Sequence, residues 1–123
     1  LQAALWREAY DLVARGAASV ADIDSAITNG PGLRWSVVGP FAGQHLSGDA
    51  GGLAHTLKHL GPPMVEWWRD LRTPALTSAL MDQLIGQMAQ EMGATSSEEL
   101  SAARDEQVLR LIIAKSSDAR LTT

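Results

Sequence analysis

Gly30-Pro-Gly-Leu-Arg-Trp-Ser-Val-Val-Gly-Pro-Phe-Ala-Gly-Gln-His-Leu46 is the stretch on which the reading of the chain turns. Gly30, Pro31 and Gly32 break the chain before it, and Gly39-Pro40 interrupts it midway. This spacing predicts a broken helix or turn that leads into a new helix at Pro40. Proline suits a first helical turn because its missing N–H would have no partner there anyway. Arg34 stands between Leu33 and Trp35 in a segment otherwise almost free of charge. A guanidinium in such a setting needs a partner, and a carboxylate matches its planar fork. Residue chemistry leaves three readings open: a ligand's carboxylate, a neighbouring Asp or Glu, or a solvated side chain.

On the N-terminal side, Leu1, Leu5, Ala9, Leu12 and Val13 give one apolar face to a helix over Leu1 to about Arg15, and Gly16 stops it. Ser19 followed by Asp22 has the spacing of a capping box, with Val20, Ile23, Ala26 and Ile27 as the stripe of a second helix ending at Asn29-Gly30. On the C-terminal side, the pattern predicts Asp49 as the cap of a helix from about Ala50 to Leu60, closed by Gly61-Pro62-Pro63. A short helix over Met64 to Leu71 follows, carrying Trp67 and Trp68. Leu76, Leu80, Met81, Leu84, Ile85, Met88 and Met92 form the clearest amphipathic stripe, on a helix starting near Thr73-Pro74 or Thr77 and stopped by Gly93. Ser96 or Ser97 caps a last helix, and the polar tail after Ser116 is expected to fray. No strand alternation and no fixed repeat is visible. The expected fold is all-α, with five to seven helices in one domain over residues 1–123.

Composition narrows the function. Hydrophobic residues make up 46% and charged residues 20%, which places the chain among globular proteins. The net charge of −4 with scattered basic residues argues against a nucleic-acid surface. Without any Cys there is no disulfide framework and no thiolate zinc site, which fits a cytoplasmic protein. No apolar run approaches the ~20 residues of a membrane span. The chain begins at Leu1, already inside a helical pattern, so a piece of a longer protein is expected.

Few residues carry chemistry by spacing. His55 and His59 lie four apart on a helix, but no glutamate or third ligand completes a metal set, so no metal is expected. Gly51-Gly52 at a helix start lacks the preceding strand and glycine pattern of a nucleotide loop. His45 has no carboxylate orienter in sequence; it either hydrogen-bonds a ligand or ties the Arg34 segment to a neighbouring helix. Trp35, Phe41, Trp67 and Trp68 are core residues or, for a trimethylammonium ligand, ring faces worth about 0.5–2 kcal/mol each. Arg34 and Trp35 reach one ligand only if the backbone between them is irregular. No catalytic residue is expected in this chain.

The motif Gly-Leu-Arg-Trp-x-x-x-Gly-Pro-Phe-x-x-x-His-Leu over residues 32–46 resembles the C-terminal domain of the 3-hydroxyacyl-CoA dehydrogenase superfamily, a helical domain of the 6-phosphogluconate/3-hydroxyacyl-CoA dehydrogenase type. The helix opening at Leu1, the Ser19-Val-x-Asp-Ile-Asp unit and Gly61-Pro62 fall in that family's order, and the likeness thins after Pro74. The arginine makes the chain most similar to the branch acting on small free hydroxy acids, that of the L-carnitine 3-dehydrogenases and the L-gulonate dehydrogenases (the lambda-crystallin group). Acyl-CoA members usually have Tyr-Pro-Met-Gly-Pro at this place. The resemblance implies an NAD-binding Rossmann domain with a His–Glu pair before this chain, a homodimer, and a small carboxylate-bearing substrate, preferably L-carnitine. It also implies substrate-binding roles for Arg34 on the carboxylate and for Trp35 and Phe41 on the pocket wall, while His45 matches a recurrent family position that is not the catalytic histidine. Ser36-Val37-Val38 and Ala42-Gly43-Gln44 replace the family's bulkier residues and would enlarge the pocket. The rival reading is a stand-alone, non-catalytic helical dimerisation module.

Overall fold

Helix ends account for most of the local structure in a computed structural model, which describes residues 1–118 and 120. Seven α-helices are present among the described residues, and no strand: α1 (Gln2–Ala14), α2 (Val20–Thr28), α3 (Pro31–Trp35), α4 (Pro40–Ser47), α5 (Gly52–Asp70), α6 (Ser78–Met92) and α7 (Ser97–Ser116). The all-α expectation therefore holds. A 3-10 turn, Asp49–Gly51, joins α4 to α5.

Gly16 stops α1 at φ +66°. Its N–H donates to the Val13 carbonyl and the Ala17 N–H to that of Leu12, which is the paired closure of a left-handed helix end. Ser19 Oγ accepts from the Asp22 N–H at 3.1 Å, and the Asp22 carboxylate accepts from the Ser19 N–H at 3.0 Å. The same reciprocal box forms between Ser96 and Glu99 at the start of α7. Thr77, rather than Thr73, caps α6 by accepting from the Leu80 N–H.

α1, α2 and α6 pack together around Val13 and Leu80, which are 1% and 6% exposed. Two glutamines on one face of α6 fix the crossing. Gln87 Oε1 accepts from the Val20 N–H, one of the free donors at the start of α2, and Gln83 Nε2 donates to the Val13 carbonyl near the end of α1. Asp11 is buried on α1, with Arg15 Nε 2.7 Å from its Oδ2. That N–H is not aimed along a hydrogen bond, so Oδ2 is compensated by charge alone.

Two expectations fail in α5. Gly61-Pro62-Pro63 does not end it; the helix runs through all three residues to Asp70 and absorbs the separate Met64–Leu71 helix. Prolines at 62 and 63 remove the bonds to the Lys58 and His59 carbonyls, but both residues are exposed, so water can replace the lost donors. Gly61, lacking a Cβ, also relieves the clash that disfavours helix before Pro62. Nor does Asp49 cap α5: it lies in the 3-10 turn at φ +47°, with no side-chain bond to the helix. The expected fraying after Ser116 falls partly on residues 119 and 121–123, which lie outside the described residues.

α4 and α5 form the second packed unit, linked to the first through α3. Thr56, buried on α5, donates to the Gln44 carbonyl at 2.7 Å and so holds the two helices together. Beyond these contacts, much apolar surface stays open. Trp67 and Trp68 on α5, and Val108, Leu109, Leu111, Ile112 and Ile113 on α7, are all exposed.

Candidate functional site

The site is built where α3 hands over to α4. Pro31 starts α3, and Gly32 lets it lie against the end of α2: a Cβ at Gly32 would stand 2.6 Å from the Ile27 carbonyl oxygen. α3 lasts five residues, and the Val38 N–H closes on the Arg34 carbonyl at 2.8 Å before Gly39 turns the chain extended. The backbone at Arg34 and Trp35 is helical rather than the irregular stretch expected there. Both line one open cleft of about 500 Å³, faced across by Gly43, Gln44 and Ser47 of α4.

Arg34 has no salt bridge and no side-chain hydrogen bond among the described residues, although Arg7, Arg15, Arg69, Arg104, Arg110 and Arg120 all pair with a carboxylate. No neighbouring Asp or Glu takes it, so the fork is exposed in a cleft lined by Trp35, Val38 and Pro40. Such an arrangement can receive a carboxylate on two parallel N–H donors.

Phe41 and His45 do not line this cleft. Phe41 is 74% exposed on the first turn of α4. His45 Nδ1 accepts the Leu53 N–H at 3.2 Å, so the imidazole supplies the cap at the start of α5 that Asp49 does not. Gly52, at φ +55°, lies against the same ring, and a Cβ there would overlap it. His45 thus ties α4, the far wall of the cleft, to α5. Val38, Gly43 and Gln44 belong to the two segments expected to enlarge the pocket, and all three line the cleft, whereas Ser47 escaped the sequence reading. The signal was present in the four-residue spacing of Gly39, Gly43 and Ser47, which places small residues on one helix face.

Other constellations offer less. The His55 and His59 rings stack with centroids 5.3 Å apart, and the described residues contain no group of three or more His, Cys, Asp or Glu placed to hold a metal ion. A second cleft, of about 360 Å³, runs between α2, α6 and the start of α7, lined by Asp24, Thr28, Met88, Met92 and Leu100. A dinucleotide does not fit the residues described. At the glycine pair that opens α5, a Cβ at Gly51 would meet that of His55 at 2.5 Å and Gly52 is buried against His45, and the Arg34 cleft presents a single cation. Among the described residues, no helix is long and apolar enough to cross a membrane.

Residues 1–87 match the family described as 3-hydroxyacyl-CoA dehydrogenase, C-terminal domain. The chain is 45% identical over 112 residues to an L-carnitine dehydrogenase of Streptomyces griseus, covering 91% of this chain and 33% of that protein. It is 43% identical over 109 residues to an L-carnitine dehydrogenase of Nocardiopsis dassonvillei, covering 89% of this chain and 33% of that protein. A Streptomyces coelicolor L-carnitine dehydrogenase is 44% identical over 112 residues, again 91% of this chain and 35% of its own length. The chain therefore spans about a third of the curated relatives it matches.

Proposed function

This chain belongs to the family of 3-hydroxyacyl-CoA dehydrogenase C-terminal domains, and from that membership we propose that it is the substrate-binding and dimerisation domain of an NAD-dependent dehydrogenase acting on L-carnitine or a similar small 3-hydroxy acid. The observation that carries the reading is Arg34, an unpaired guanidinium beside an indole in an open cleft. Arg34 holds the substrate carboxylate and Trp35 covers the bound molecule with its ring face, while Phe41 lies outside the cleft with its ring exposed on the first turn of α4. His45 acts on the site by fixing α4 against α5. NAD and the hydride step belong to the domain that would precede this one, since the residues here do not compose a dinucleotide site. One wall of the cleft between domains is then this chain's share of the active site, and the parent enzyme would be cytoplasmic.

Kinetics of Arg34→Ala in the full-length enzyme test the assignment. A hydrogen bond to a charged group is worth about 1.5–3 kcal/mol, so KM for L-carnitine should rise about ten- to a hundredfold. Arg34→Lys should recover part of the loss, because it keeps the charge without the fork. An unchanged KM and turnover in Arg34→Ala would remove the carboxylate clamp. A second reading, a helical association module, is favoured by the exposed apolar faces of α5 and α7 and is compatible with the first.

A further inference from the structure

We infer that Gly43 sets the size of the hydroxy acid that fits the Arg34 cleft, by leaving open the space that a branched head group, such as a quaternary ammonium, would occupy. The inference rests on the carboxylate-binding role of Arg34 proposed above. Gly43 sits inside α4, its N–H donating to the Gly39 carbonyl at 2.9 Å, and its φ is not positive. Any L-residue could adopt that backbone. Glycine costs about 0.5–1 kcal/mol relative to alanine inside a helix, so folding alone disfavours it.

Packing does not require it either. A Cβ at Gly32, Gly48, Gly51 or Gly52 would strike backbone or an imidazole, whereas a Cβ at Gly43 meets nothing within 4 Å. Gly39, Gly61 and Gly86 share that freedom; Gly39 also lines the cleft, but at the N-cap before α4, whereas Gly43 stands inside the helix that forms the wall facing Arg34 and Trp35. A side chain there would grow from the α4 wall into the volume facing both residues. What the glycine provides is room.

A substrate with its carboxylate on Arg34 must put its other end elsewhere in the same cleft. A cationic end avoids the guanidinium and is attracted to the Trp35 ring face. A leucine at 43 narrows that volume, so a wide head is excluded before a methyl group is. L-carnitine and L-3-hydroxybutyrate differ only in the trimethylammonium head, which makes them the matched probes.

The experiment measures kcat/KM for both acids in the full-length NAD-dependent enzyme carrying Gly43→Ala, Gly43→Leu or Arg34→Ala. The carnitine-to-hydroxybutyrate ratio is expected to fall by about threefold in Gly43→Ala and at least tenfold in Gly43→Leu. If Gly43→Leu fails to fold, the alanine variant carries the test, since alanine favours the helix. A ratio unchanged in the soluble Gly43 variants overturns the size limit. If Arg34→Ala leaves both acids unaffected, it is instead the carboxylate assignment that falls. Loss of carnitine turnover in Gly43→Leu with the ratio preserved means a general distortion of α4 and also counts against the inference.

Discussion

Two glycines on either side of the α4–α5 corner are expected to respond oppositely to one added methyl group. Gly52 holds φ at +55° and lies against the His45 ring, so Gly52→Ala meets both backbone strain and an overlap. Strain of this kind costs on the order of 1–3 kcal/mol. Urea unfolding of Gly52→Ala should show a lower midpoint by an amount in that range, and an unchanged midpoint would mean the corner is looser than the geometry indicates. Gly43→Ala, in regular helix facing open space, should raise stability by about 0.5–1 kcal/mol in the same measurement. Arg15 offers a third case at this scale. Arg15→Ala leaves the Asp11 carboxylate buried and uncompensated, which should cost about 1–3 kcal/mol, whereas Asp11→Asn with Arg15 retained should cost less.

At the scale of elements, the two capping boxes give the fold an acid limit. The Ser19 hydroxyl, with the Ser19 N–H second, holds the Asp22 carboxyl below its ordinary value of 3.8, and the Ser96 N–H, with its hydroxyl second, holds Glu99 below 4.5. Because the folded values are depressed, their stabilisation is complete above the ordinary values and is lost as pH falls through the folded ones. Helicity at the starts of α2 and α7 should therefore decline below about pH 4.5, Glu99 first, as read by exchange of the Ser96 and Ser19 amides. Replacing Glu99 by Gln should remove the pH dependence at Ser96 while leaving it at Ser19. These caps were legible in the sequence, as were Gly16, Gly93 and Pro40, because each acts on its own three or four residues. The α5 start and length were not. The cap comes from His45, seven residues before α5 begins, and the prolines are tolerated because solvent reaches the carbonyls they orphan. Arg34 and Trp35 could be picked out by composition, but the α4 wall opposite them depends on which face of that helix turns inward.

For the whole molecule, the decisive quantity is surface. A compact monomer of 13.1 kDa exposes about 6,400 Å², whereas this chain exposes 9297 Å². The difference, about 2,900 Å² on one chain, is at least as large as the roughly 1,000–2,500 Å² that each partner of an obligate pair commonly buries. It is not spread evenly: α7 packs little on the rest of the chain, and residues 108–113 are apolar on nearly every side apart from Arg110. A helix of that character is stable in water only when covered. The stripe on α6 divides in the same sense, with Leu80 and Leu84 turned inward while Met81 and Ile85 stay exposed. With a second copy as the cover, as proposed above, the full-length protein should sediment as a dimer at low micromolar concentration. The paired change Leu109→Glu and Ile112→Glu places two charges on the apolar run of α7 and should shift it to monomer, with helicity otherwise kept. A wild-type protein that stays monomeric at high micromolar concentration would assign the cover to another part of its own chain. The double variant would then lower the melting temperature without changing the sedimentation coefficient.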